Sequence, residues 1–488
     1  MAASSSSIEN DLTTIFSDAK ISSEDVDSSS HPSPEILKRL QDVSQILDPS
    51  SLPSIRLTGE IQTPFNTDDP LEWFWLPSIA HGIHPSENVM ISQHMIPFPV
   101  RRIDPLTNPD EYVILKDGSH GAWFHCRGLC DIECADKLCK GGKRGQPPSR
   151  RIKCRVVPCL DGIGYNDVKF IAAGAFGAVA TAIKSSTNES VALKIIPKQF
   201  CRSYNPDNLD WNGWRAVKLT RREIWCFLML SIPEASKYVV QLRTIHEDMR
   251  WIVLELELMD GSLSDLLEDD QAFGNSDDCR DLVGPLKYIV RSCFSAVEWI
   301  SNIRNFPAPA RRVCLVLHRD IKKENFLYKR TSVPHIYTIK LSDFGLARDY
   351  IPKLDGSDSL EPITRCGSDS TKAPELLIPS SFPYPPHKTL SDLCKCDIWS
   401  TAIVCLETFS LTLSKMDPEY SHDRWNTLDV LNLMRQSKFF PHLEQLFAVF
   451  HHEASSKDQS IDLFSKIFEI GVRERYSALQ VLQHPYLN

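Results

Sequence analysis

The sequence predicts an α+β fold, and three observations carry that reading. From about Tyr165 to Asn488 the chain alternates strand-type and helix-type patterns rather than keeping to one period. The early part of this region holds short apolar runs around a glycine-rich turn, Phe170 to Val179 and then Val191 to Lys194. The later part holds Leu286, Ile289, Val290, Cys293, Val297 and Ile300, whose i, i+3, i+4, i+7 spacing is the stripe of a long buried helix.

The chain has 488 residues, 42% hydrophobic and 24% charged, which is the range of proteins that bury a core and excludes a fibrous or wholly disordered chain. Lys and Arg number 54 against 63 Asp and Glu, and a net charge of -9 argues against nucleic acid as the default partner. No uninterrupted apolar run approaches the roughly 18 residues of a membrane span. Met1 to Ile8 has neither a basic leader nor an apolar core, so a secretory signal is not expected. The 15 cysteines are then reduced thiols or metal ligands, in the cytoplasm or nucleus.

Residues 1–60 carry 15 serines and few aromatics, too little apolar surface to offset the entropy of ordering, and are expected to be mostly disordered. Within them Ile36, Leu40, Val43 and Leu47 recur at helical spacing, a short amphipathic helix that is either transient or a docking element for a partner. Residues 61–160 form an aromatic and Cys-rich segment with Trp73, Phe74, Trp75, Trp123 and Phe124. Its runs Glu111–Leu115 and Ala122–His125 flank Lys116 to Ser119 and are expected to pair as a hairpin. Cys126, Cys130, Cys134 and Cys139, with Cys154 and Cys159 beyond, are the usual material of a zinc module, but the paired C-x2-C knuckle is absent. A zinc site, a disulfide-stapled insert and plain thiols all remain open. The basic run from Lys140 to Arg155 is a solvated loop, a contact for an acidic partner, or a nuclear-import signal.

The chemistry lies further on. Between Phe170 and Val179, Gly174 and Gly177 permit backbone N–H groups to approach phosphate closely. Val191-Ala192-Leu193-Lys194 ends a strand with one lysine, and Arg221 to Leu230 is a helix carrying the single carboxylate Glu223 among apolar neighbours. His318-Arg319-Asp320-Ile321-Lys322-Lys323-Glu324-Asn325 puts a base and a metal-ligating amide on one tight loop. Asp343-Phe344-Gly345 comes just after a strand ending at Leu341, and Ala373-Pro374-Glu375 comes later. Each piece alone is ordinary; the ordered set is not.

In this order the motifs resemble those of the eukaryotic protein kinases, over about Tyr165 to Asn488. The resemblance implies a two-lobed fold, with a small β-rich lobe carrying one main helix and a larger helical lobe. It implies ATP and Mg2+ as cofactors and protein substrates with Ser or Thr acceptors. Gly174, Gly177 and Val179 would lie over the nucleotide, and Glu257 and Met259 would bind adenine through backbone groups beside Leu256. Lys194 would hold the α- and β-phosphates and pair with Glu223, while Asn325 and Asp343 would hold magnesium. Asp320 would take the hydroxyl proton and Lys322 would steady the γ-phosphate. Lys322 and the segment Gly367 to Glu375 resemble serine/threonine rather than tyrosine kinases.

The resemblance, through the Arg319–Asp320 pair, implies control by phosphate on the segment Asp343 to Glu375, with Thr364 first and Ser359 second, unless Asp355, Asp358 and Glu361 already supply the charge and activity is constitutive; Ser368 is expected to bond to the catalytic loop. Departures from the family pattern are Ala172 at the first glycine, Thr371 before Ala-Pro-Glu, Ala402 in place of a glycine after Trp399, and 29 residues from Lys194 to Glu223 with an insert around Tyr204 to Trp211. The rival classes are a pseudokinase scaffold and a Cys-rich interaction module with the kinase as passenger. Mg-ATP binding and metal content discriminate them.

Overall fold

The computed structural model describes residues 89–94, 98–103, 108–117, 155–174, 177–197, 211–248, 250–269, 272, 278–302, 304–305, 313–350, 366–377, 390–417 and 425–488. In chain order its first lobe contains β1 (Met90–Gln93), β2 (Val100–Ile103), α1 (Pro109–Asp117) and β3 (Arg155–Pro158). Then come β4 (Tyr165–Ala173), β5 (Ala178–Lys184), β6 (Glu189–Pro197), α2 (Trp211–Leu230), β7 (Leu242–Glu247) and β8 (Trp251–Glu257). Six of the strands form one sheet in the order β1-β7-β8-β6-β5-β4, antiparallel except where β1 runs parallel to β7 at the edge.

Alternation along β6 explains how the sheet serves two cores. Val191, Leu193 and Ile195 point to one face and pack with Trp251 and Val253. Ala192 and Ile196 point to the other, which α2 covers with Ile224, Phe227 and Leu228. Lys194 therefore shares the α2 face, a placement set by strand period rather than by its charge.

Glu111 to Leu115 is helical, not a hairpin strand. Pro109 and the acidic Asp110 and Glu111 start the helix, and Arg101 on β2 binds Glu111 through two bonds of 2.8 and 3.0 Å. Leu115 is fully buried with Ile103, Val157 and Tyr165, so tertiary burial overrides the strand propensity of the Tyr-Val-Ile run. The described parts of residues 61–160 thus share a sheet and a core with the chain beyond residue 165. Residues 1–60, the amphipathic run from Ile36 to Leu47, and Ala122 to His125 lie outside the described residues.

The second lobe begins after Glu257 with β9 (Gly261–Ser262) and α3 (Leu263–Glu268), whose start is fixed by a capping box between Ser262 and Asp265. α4 (Val283–Ser301) carries the stripe read from sequence, and Leu286, Ile289, Val290, Cys293, Val297 and Ile300 are all buried. Next come β10 (Arg304–Asn305), β11 (Val313–Leu317), β12 (Phe326–Arg330), β13 (Tyr337–Leu341) and β14 (Arg348–Tyr350). The chain ends with α5 (Pro374–Leu377), α6 (Leu390–Met416), α7 (Thr427–Arg435), α8 (Phe439–Phe450), α9 (Ala454–Ile467) and α10 (Ala478–Leu482). α6 is long and apolar enough to cross a membrane by length and composition, yet it is buried on nearly all sides by protein. Phe409 on α6 meets Phe447, Phe450 and Phe464 edge to face, which locks α8 and α9 to it.

Candidate active site

Lys194 sits at the junction of the two lobes. Its ammonium bonds to the Glu223 carboxylate on α2 and, at 3.1 Å, to Asp343 Oδ1 in the turn after β13. Burial opposes the Lys194 charge, but Asp343 and Glu223 outweigh it and hold the ammonium above its usual range. The Lys194 charge holds Asp343 below the usual carboxylate range, against its burial. Burial pushes Glu223 the other way, and its Oε2 has no bond partner among the described residues. The cation is therefore shared unevenly between two acids that come from different elements.

The glycine turn lies next to this lysine. A Cβ at Gly177 would stand 2.3 Å from the backbone oxygen of Ile195, so only glycine lets β5 approach β6 there. Gly174 meets nothing within 4 Å and donates its N–H to Gly177 O at 2.8 Å. Val179 is half-buried opposite Lys194. At the lobe junction the Glu257 carboxylate is held by Lys340 at 2.6 and 2.7 Å and its backbone N–H donates to Gln241 O at 2.9 Å, so neither of these groups is offered to a ligand. Leu256 and Met259 are buried beside it.

The catalytic loop hangs from α6. Asp397 accepts the backbone N–H groups of His318 at 2.7 Å and Arg319 at 2.9 Å, and it is buried. Arg319 has φ 65, a strained value for a side-chain-bearing residue that these bonds enforce. The Phe344 ring lies edge to face with both Phe227 of α2 and His318, at 5.2 Å each, so α2, the Asp343 turn and the loop are packed as one unit.

Asp320 Oδ1 accepts bonds from the backbone N and the hydroxyl of Ser368, each 2.8 Å, and Oδ2 lies 3.2 Å from Lys322 Nζ. Ser368 thus bonds to the catalytic loop as expected. Asn325 Nδ2 donates to Asp320 O at 2.8 Å, and Thr371 Oγ1 donates to Ile321 O at 2.6 Å. Gly367, at φ 96, lets the segment pass so close that a Cβ would stand 2.2 Å from Arg319 O. The departure Thr371 therefore supplies a bond that ties the substrate-facing segment to the loop.

The donor set fits a hard divalent cation. Asp343 offers a carboxylate held ionised, and the bond from Asn325 Nδ2 leaves the amide oxygen as that residue's donor. Asp343 and Asn325 would hold Mg2+, which neutralises phosphate charge, and Lys194 and the glycine turn would hold ATP. For zinc the case is different. Cys126, Cys130, Cys134 and Cys139 lie outside the described residues, and among the described residues no cluster of three or more metal-ligating side chains occurs.

Sequence reasoning missed two sets of residues. Arg222 of α2 lies near Arg319 and Arg348, and burial followed by these two like charges pulls its guanidinium below the usual range. Lys323 bonds Glu407 of α6 at 2.7 Å beside the loop. Residues as far apart in the chain as Arg222 and Arg348 carry no local signal of their meeting.

The comparisons agree with this geometry. The family model of the protein kinase domain matches residues 165–487. Cyclin-dependent kinase 7 of Dictyostelium discoideum is 26% identical over 338 residues, covering 66% of this chain and 79% of that protein. Myosin light chain kinase 2 of Homo sapiens is 26% identical over 343 residues, covering 70% of this chain but only 46% of its own length. Serine/threonine-protein kinase 33 of Bos taurus is 25% identical over 245 residues, 49% of this chain and 40% of that one. With the motif residues brought together by bonds and packing and the domain matched over most of the chain, the chain belongs to the protein kinase family, of the serine/threonine type.

Proposed function

We propose that the chain transfers the γ-phosphoryl group of MgATP to Ser or Thr hydroxyls of protein substrates, and that the Asp320 carboxylate takes the hydroxyl proton. The observation that carries this is the Asp320 geometry: one oxygen is fixed by two bonds from Ser368, and the other stands by Lys322. Phosphoryl transfer needs positioning and charge more than covalent chemistry from the protein. Lys194 offers the nucleotide phosphates a cation, and its two carboxylate partners keep it charged and aimed. Lys322 offers a second cation where charge grows on the transferring group. Mg-ATP should raise the apparent unfolding temperature by mass action, and the purified protein should phosphorylate a Ser/Thr peptide library. Binding without transfer would leave a scaffold; neither would remove the reading.

We also propose that phosphate on the segment after Asp343 controls activity, with Thr364 as the first acceptor. The nearness of Arg222 to Arg348 and Arg319 supports this, because together they outnumber the acid beside them, Asp349, and a dianion would balance the excess charge. Ser368 is occupied by its bonds to Asp320, which supports its exclusion. Thr364 and Ser359 lie outside the described residues. Mass spectrometry with Thr364→Ala tests the switch: full activity without phosphate elsewhere in the segment sinks it. We propose a reducing compartment, cytoplasm or nucleus, where the 15 cysteines of the chain would stay thiols. Fractionation of tagged protein tests that.

A further inference from the structure

The family match begins at residue 165, yet the sheet that carries Lys194 begins at Met90. Register shows what β1 does there. Ile91 lies opposite Ile245, Ile245 opposite Leu254, Leu254 opposite Lys194, and Lys194 opposite Val179. One row therefore crosses the sheet from Ile91 to the phosphate-binding lysine, all on the face that α2 covers. Val89 is buried, and Ile91 packs against the core that also contains Ile224, Phe227, Ile245 and Leu254.

The segment is bolted down from its other face as well. Ser92 Oγ and His94 Nε2 are 3.2 Å apart, and His94 Nε2 lies 3.1 Å from His246 Nδ1. His246 Nε2 lies 2.9 Å from the Tyr165 hydroxyl, which donates to Glu255 at 2.5 Å, and Lys184 closes the chain on Glu255 at 2.9 Å. Beyond it Phe98 donates its N–H to Asp248 at 2.6 Å, and Arg250 returns a bond to Phe98 O at 2.7 Å.

We propose that residues 89–94 together with Phe98 form a clamp in cis that positions α2, so that Glu223 stays on Lys194; the effect on turnover rests on the kinase reading above, the effect on α2 does not. Glu223 is fully buried with only one oxygen bonded among the described residues, an arrangement that burial disfavours. Apolar packing beneath α2 has to hold it in, and β1 braces that packing through β7, whose Ile245 lies opposite Ile91 and belongs to the core that Ile224 and Phe227 of α2 share. Val89, Ile91 and Phe98 are then positioning residues for the reaction, acting through the sheet and preceding the matched domain.

The test uses the full chain with Ile91→Asp, read by amide hydrogen exchange and steady-state kinetics. Exchange across α2 should rise at least tenfold with α4 and α6 unchanged, KM for ATP should rise about tenfold, and Ile91→Val should restore both. Ile91→Ala gives the same pattern at smaller size and serves if Ile91→Asp does not fold. Unchanged α2 exchange in a folded variant whose β1 amides exchange freely would overturn the clamp. So would an equal rise over α2, α4 and α6, the mark of general destabilisation. If the wild-type protein transfers no phosphate, the kinase reading fails while α2 exchange still decides the clamp.

Discussion

Asp320→Asn removes the proposed base at nearly constant shape. The amide oxygen of Asn can keep both 2.8 Å bonds from Ser368, and the Asp320 O bond from Asn325 is untouched because it uses the backbone. What changes is the group facing Lys322 across 3.2 Å, where an NH2 replaces a carboxylate oxygen. That partly exposed ion pair is worth about 1 kcal/mol or less to the fold. Loss of a positioned base costs about 10² to 10⁴ in rate, or roughly 3 to 5 kcal/mol of barrier. The two magnitudes separate the roles. Steady-state peptide phosphorylation should show kcat and kcat/KM for peptide falling together by at least a hundredfold, with KM for ATP and the unfolding temperature nearly unchanged. Turnover within tenfold of wild type refutes the role, and so does a loss that tracks unfolding.

Other outcomes rest on single contacts. Gly177→Ala forces a Cβ to 2.3 Å from Ile195 O, and should cost about 1 to 3 kcal/mol in denaturant unfolding, whereas Gly174→Ala, with open space around it, should leave stability unchanged. Arg475→Leu strands the buried Glu375 carboxylate, which now takes bonds of 2.8 and 3.0 Å from Arg475; about 3 to 5 kcal/mol should be lost, part of it regained by adding Glu375→Leu. Burial, then the His94 charge, lowers His246 to about 4; His94, Tyr165, Glu255 and Lys184 face it. The folded protein therefore resists protonation that the unfolded chain accepts near its ordinary 6.5, so stability is whole above about 6.5 and drains as pH falls toward 4. Roughly 3 kcal/mol is at stake, and an unfolding midpoint that falls less over this range in His246→Phe than in wild type checks it, the remaining fall coming from groups such as His451, which burial also lowers to about 4.

Much of the site was legible because its residues sit in short, ordered motifs. Asp320, Lys322 and Asn325 share one loop, so their spacing alone states that they can act together. The α4 stripe was legible for the same reason, since helical period and burial agree over a long run. Lys194 and Glu223 were legible only as members of that ordered set, because a lone strand lysine and a lone helix carboxylate carry no signal of pairing.

The sequence by itself determined the chemistry available and the α+β class, since motif order and period are properties of the chain. The tertiary structure alone decided what lies beside what. Glu111 to Leu115 became a helix because burial against β4 outweighs the strand preference of Tyr, Val and Ile. Arg222, Arg319 and Arg348 met because α2, the catalytic loop and β14 converge, and Ile91 joined the Lys194 row because parallel pairing put it in register. Long-range register and packing depend on contacts between distant segments, and no window along the chain contains both partners.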